Sequence, residues 1–245
     1  RHLLAGREGV FIQGGRVVVG KGGRVKEVIA LGDLPLALEG RARHNVANVL
    51  AAVAACRGLG LDIPEIGKAL AKFKGDFADN PGRLNLFEME GYRVLLDYGH
   101  NPAAFQAVLQ TARGLGARRL VGVIGVPGDR CDELILESGR VAGAGFQRLY
   151  IKEDADLRGR APGEVADLLR QGALTGGIRK DNIEVVLGEV EAVGRALAQA
   201  QVGDLVVIFY EELEPLLPLI RVSKVSGPPA RGEVGVKWAV GWGGD

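Results

Sequence analysis

The stretch "VLLDYGHNPAAF" places Asp97, His100 and Asn101 within five residues, where an apolar run gives way to a helical pattern. A carboxylate at the end of a strand can accept two ribose hydroxyls. A histidine beside a helix N-terminus suits a phosphate or another anion, because free N–H groups and the helix dipole point the same way. Asn101 and Pro102 need no ligand to explain them, since they fit the N-cap and first position of a helix. A second loop, "GVPGDR", holds Asp129 and Arg130 after two glycines that allow close backbone approach; Asp129 either caps the next helix or binds. A third, "KEDADLRGR", mixes Lys152, Asp154, Asp156, Arg158 and Arg160. Its arginines can fork onto a carboxylate and its aspartates onto a guanidinium or ammonium, or the loop neutralises itself at the surface. A fourth segment, "YEE", covers residues 210–212. Upstream, "RHNVANVLAA" offers Asn45 as a helix N-cap, with His44 just outside the helix.

Position in the chain gives these loops a common direction. Residues 10–29 alternate apolar runs with Gly-Gly turns and read as paired strands. Val46, Val49, Leu50, Val53 and Ala54 then recur at helical spacing, and Pro64 opens a second helix. The segment "KGDFADNPGR", 74–83, reads as a linker or hinge. Beyond it, strands at 83–89, 92–97, 119–125, 148–152, 183–187 and 204–209 alternate with helices at 102–113, 131–143, 162–172, 189–200 and 212–220. Such alternation predicts an α/β unit with a mainly parallel, doubly wound sheet. Ligands of such sheets bind beyond the carboxyl ends of the strands, and all four loops lie there. The opposite edge receives bland loops such as "RGLGARR".

Composition narrows the classes. The 245 residues carry a formal net charge of +1, so nothing argues for a nucleic-acid partner. No apolar run approaches a membrane span. Two cysteines far apart, with no CxxC, fit a reducing cytosol and leave no thiolate metal site. Three dispersed histidines do not suggest a histidine metal site. Neither GxGxxG nor GxxxxGK[ST] occurs, and Ser138 is the one serine before residue 223, which argues against a serine hydrolase.

Taken in order, "GRARHNVANVLAAVAA", "NPGRLNLFE", "VLLDYGHNPAAF", "GVPGDRCDELI" and "YIKEDADLRGRAPGEVADLLRQG" resemble the C-terminal part of the Mur ligase family, and within it the cyanophycin synthetase branch. The resemblance spans about residues 9–220. It implies a Rossmann-like C-terminal domain over 79–222, preceded over 1–78 by the end of a central domain; residues 223–245 form a tail outside it. It further implies an ATP-dependent ligase that activates a carboxylate as an acyl phosphate, which an amine then attacks. In that branch, arginine is joined to the aspartate side chains of a poly-aspartate backbone. Carried over by motif, Asn45, Arg83, Asp97, His100 and Asn101 are expected at the nucleotide. Asp129, Arg130, Lys152, Asp156 and Arg158 are expected near the incoming amino acid. The phosphate loop and the Mg²⁺ ligands of the family are expected upstream, on domains this chain lacks. The chain opens with Arg1 and has a single Met, Met89, and is expected to be a piece of a longer polypeptide, inactive alone. Self-association into a homo-oligomer is a further expectation. The alternatives are a non-catalytic nucleotide-binding or assembly module, and a Mur-type ligase of the folylpolyglutamate or peptidoglycan kind.

Overall fold

The computed structural model describes residue 3, residues 6–38 and residues 40–222; the expected tail at 223–245 lies outside the described residues. Strands β1 (Gly9–Gln13), β2 (Arg16–Lys21) and β3 (Arg24–Ala30) form an antiparallel meander. The Gly14-Gly15 and Gly22-Gly23 turns, all at positive φ, set its two hairpins. Helices α1 (Arg43–Gly58) and α2 (Ile63–Lys72) cover the meander. Val17, Val19, Ile29, Val49, Val53 and Ile66 make their shared core.

The second sheet contains β4 (Asn85–Glu88), β5 (Arg93–Asp97), β6 (Arg119–Ile124), β7 (Arg148–Ile151), β8 (Ile183–Val185) and β9 (Asp204–Phe209). Their spatial order is β4-β5-β9-β6-β7-β8, with β4 antiparallel and the remaining pairs parallel. The fold is thus α/β with a mostly parallel sheet. The last strand returns to the middle, so the carboxyl ends of β5, β9, β6 and β7 stand side by side.

Helices α3 (Pro102–Gly114), α4 (Asp132–Gly145) and α5 (Glu164–Thr175) bury Phe105, Leu109, Ile135 and Leu169 against one face of the sheet. Helices α6 (Glu189–Ala198) and α7 (Leu217–Val222) flank the other, where Ala192, Val193 and Ile220 meet Val94, Val206 and Ile208. All six residues of β9 are buried, as a central parallel strand requires. The α4–α5 contact is made backbone to backbone. A Cβ on Gly139, Gly143, Gly172 or Gly176 would lie 2.0–2.2 Å from a carbonyl oxygen of the opposite helix. Only a hydrogen fits there.

Candidate functional site

Several cavities open beyond the carboxyl ends of the parallel strands, and two of them gather most of the expected residues. The first, about 520 Å³, lies between α1, the 80–84 segment and the β5–α3 loop, and includes His44, Asn45, Asn48, Asn80, Arg83, Asp97, Tyr98, His100 and Asn101 in its lining. The second, about 170 Å³, lies among the loops after β5, β6, β7 and β9; Asp129, Arg130, Lys152, Asp154, Arg158, Tyr210 and Glu211 line it. Tyr98, Gly99 and His100 belong to both walls.

Asp97 closes β5 and is buried. Its Oδ1 accepts from the Gly99 N–H at 2.8 Å and its Oδ2 from the Leu84 N–H at 3.1 Å. Burial pushes its carboxyl above the ordinary aspartate range, opposed by those two N–H groups and by the charges of Arg83 and His44. Each oxygen keeps a lone pair for a further donor. His44, half-buried across the cavity, is held below the usual histidine range by burial, although Asp97 pulls the other way. The Asn101 side chain accepts from the Ala104 N–H at 2.9 Å and Pro102 opens α3, so the expected cap is present. His100 Nδ1 lies 3.0 Å from the Tyr98 carbonyl oxygen. A carbonyl only accepts, so in neutral His100 the proton sits on Nδ1 and Nε2 offers a lone pair. Arg83 lies over the Tyr98 ring, 4.9 Å from its centroid. Tyr98 in turn touches His100 and Tyr210, with centroids 5.4 and 5.5 Å apart.

In the second cavity Lys152 is almost completely buried, and its ammonium reaches Asp154 at 2.8 Å and Glu189 at 3.0 Å. Burial pulls its pKa down, but the two carboxylates outweigh this and hold it above the ordinary value. The Glu189 carboxylate also accepts the N–H groups of Glu211 and Glu212, and Glu211 accepts that of Ala155. Burial, followed by its acidic neighbours, raises the Glu211 carboxyl. Arg160 Nε donates to the Gly128 carbonyl oxygen; its Nη2 reaches the Arg130 carbonyl oxygen and Asp132, and its Nη1 reaches Glu164. It clips the "KEDADLRGR" loop onto the "GVPGDR" loop, which Gly128 permits by lying directly against the Leu157 carbonyl.

Several sequence expectations need correction. Asn45 is not an N-cap: α1 begins at Arg43 behind Ala42, which makes no side-chain cap. Asn45 turns inward instead, donating to the Leu36 carbonyl oxygen at 3.0 Å and accepting from Asn48. His44 accordingly lies within the helix. Asp129 does not cap α4, which starts at Asp132 behind Cys131; it pairs with Arg130 at 3.7 Å. Asp156 lies outside the second cavity's lining. It is mostly exposed and holds Arg158, whose Nε is 2.8 Å away. The remaining expected residues line one cavity or the other, and His100 lines both.

Residues not singled out also line the cavities. Tyr98 follows Asp97 at the end of a strand, and an aromatic at that place is its signal. Glu189, which opens α6, lies outside both linings and acts through Lys152; its place just after the strand at 183–187 is its signal. Asn48 and Asn80 carry no distinguishing signal. Among the described residues no group of three or more His, Cys, Asp or Glu side chains could hold a metal ion.

Residues 82–209 match the family described as Mur ligase, glutamate ligase domain. The chain belongs to the Mur ligase family. It is 40% identical over 197 residues to a cyanophycin synthetase of Crocosphaera subtropica, covering 80% of this chain and 22% of that protein. It is 33% identical over 223 residues to the cyanophycin synthetase of a Nostoc species, covering 91% and 24%. The chain therefore spans less than a quarter of the length of these curated relatives. Among solved structures, E. coli FolC in complex with ADP superposes with a TM-score of 0.61 at 21% identity, covering 88% of this chain and 46% of that one. This last likeness bears on fold alone.

Proposed function

We propose that this chain is the nucleotide-closing and amine-presenting part of an ATP-dependent amide ligase of the cyanophycin synthetase type, joining arginine to aspartate side chains of an acidic polypeptide. One observation carries the reading. Asn45, Arg83, Asp97, His100 and Asn101 come from separate segments and line one cavity, which shares a wall with a second cavity lined by Arg130, Lys152 and Arg158.

ATP supplies the phosphoryl group that activates the carboxylate. This chain's residues position the partners. Asp97 accepts the ribose hydroxyls through its remaining lone pairs. The amides of Asn45, Asn48 and Asn80 suit the edge of a base, because each offers both a donor and an acceptor. Arg83 reaches phosphate oxygens from its place over Tyr98. In the adjoining cavity, Arg130 and Arg158 hold the carboxylate of the incoming amino acid, and Glu211 faces its amine. Tyr98 and His100, on the shared wall, keep the two reactants apart until they align. Phosphoryl transfer depends on positioning and charge stabilisation, and this sequence has no GxxxxGK[ST] phosphate cradle. The chain by itself is therefore predicted not to ligate.

A reconstitution tests the reading. The chain is incubated with ATP, Mg²⁺, arginine and a poly-aspartate acceptor, with and without the preceding region of a homologous cyanophycin synthetase. ADP release and arginine incorporation are expected only with both polypeptides. Turnover by the chain alone would refute the predicted dependence, and no turnover by the pair would refute the assigned activity.

A further inference from the structure

The segment 74–83 has the composition of a hinge, yet its polar groups are tied down. Lys74 N–H donates to Asp79, the Ala78 and Asp79 N–H groups donate to Asp76, and Asn80 N–H donates to the Asp76 carbonyl oxygen. Beneath the segment sits Asn85, the first residue of β4, only 2% exposed. Its Oδ1 accepts the Gly82 N–H at 2.6 Å, and its Nδ2 faces the carbonyl oxygens of Gly75, Asn80 and Arg83 at 3.3, 3.0 and 3.4 Å. One amide thus satisfies backbone groups at both ends of the segment. Between Gly82 and Asn85, Leu84 takes a left-handed backbone at φ +50°, a conformation costly for a branched side chain. Its N–H is held by Asp97 and its side chain is buried in the main core. Arg83, fixed on both sides, points to the Tyr98 ring.

We propose that Asn85 is the positioning residue of the first cavity: it locks the 74–83 segment into a rigid plug and so fixes Arg83 over Tyr98. The segment is a clip, not a hinge. The geometry stands without a ligand; only Arg83's service to a nucleotide rests on the function proposed above.

The test uses the whole chain. In the wild type, native-state hydrogen exchange should protect the N–H groups of Asn80 and Gly82 as well as those of neighbouring β4. NMR should show the Arg83 δ-protons shifted by the Tyr98 ring current. Asn85→Ala should speed exchange at these amides by about tenfold or more, the scale of losing buried hydrogen bonds. It should also abolish the Arg83 shift while leaving core methyls such as Leu95 in place. Asn85→Asp keeps the acceptor for Gly82 but turns an oxygen toward the three carbonyl oxygens, so it should weaken the shift as well; it serves if the alanine variant does not fold. Tyr98→Leu, which removes the ring, calibrates the fully collapsed signal. Fast exchange across 76–83 in the wild type, or an unmoved Arg83 shift in Asn85→Ala and Asn85→Asp, would overturn the proposal. An ADP titration separates the two claims. If the wild type binds no ADP while the Arg83 shift depends on Asn85, the positioning role holds and the nucleotide reading fails.

Discussion

Asp97 has two jobs that its geometry makes inseparable. It is bonded to Leu84 N–H on one side and Gly99 N–H on the other, so it organises both rims of the cavity before any ligand arrives. That double tie was not visible in the sequence, which showed only an acid at a strand end. Lys152 illustrates the same limit. The sequence places it at a strand end within a charged loop, which does not show that it is buried between Asp154 and Glu189. Lys152→Met should therefore cost about 3 kcal/mol in urea unfolding, because two partly buried carboxylates lose their buried counter-charge; a change below about 1 kcal/mol would show the network to be dispensable. His44 gives a pH signature. Its folded pKa is depressed by burial, so the unfolded chain takes up the proton first on acidification. Its stabilising contribution is full above the unfolded value near 6.5 and is lost as pH falls from there through the folded value. The midpoint temperature of the wild type should drop over that window, and His44→Gln should flatten the dependence.

Elements were more legible than contacts. Alternation of apolar strands and amphipathic helices marked β4 to α7 within a few residues, and Asn101-Pro102 marked the start of α3. Two things escaped. The return of β9 between β5 and β6 depends on long-range pairing, which leaves no local trace in a uniformly apolar strand. The α1 start was misplaced because Asn45, a good cap by type, is used to satisfy the Leu36 carbonyl oxygen. The α4–α5 pair yields a prediction of its own. Gly143→Ala would set a Cβ 2.0 Å from the Ala173 carbonyl oxygen, so overpacking of about 1–3 kcal/mol should outweigh the helix-propensity gain of about 1 kcal/mol. Gly194→Ala, in α6 with open space around it, should instead be stabilising by up to about 1 kcal/mol. Thermal unfolding of the two variants compares them directly, and a stabilised Gly143→Ala would contradict the close approach of the helices.

At the scale of the molecule, the site lies where a small antiparallel unit meets the carboxyl edge of a parallel sheet, with α1 supplying Asn45 and His44 and the sheet supplying Asp97, His100 and Arg83. The strand-end rule pointed from the sequence to the edge at which both cavities open. Asp156 lies outside the second cavity's lining, and the roles of Tyr98 on the shared wall, of Asn85 beneath the 74–83 segment and of Glu189 behind Lys152 are visible only in the fold. The central claim is that the cavity between α1 and the β5–α3 loop takes a nucleotide through Asp97 and Arg83. Calorimetric titration of the whole chain with ATP tests it most directly. The account predicts measurable binding, weakened about tenfold or more in both Asp97→Ala and Arg83→Gln, with circular dichroism confirming that the variants remain folded. Absence of binding by the wild type, or binding indifferent to both substitutions, would contradict it.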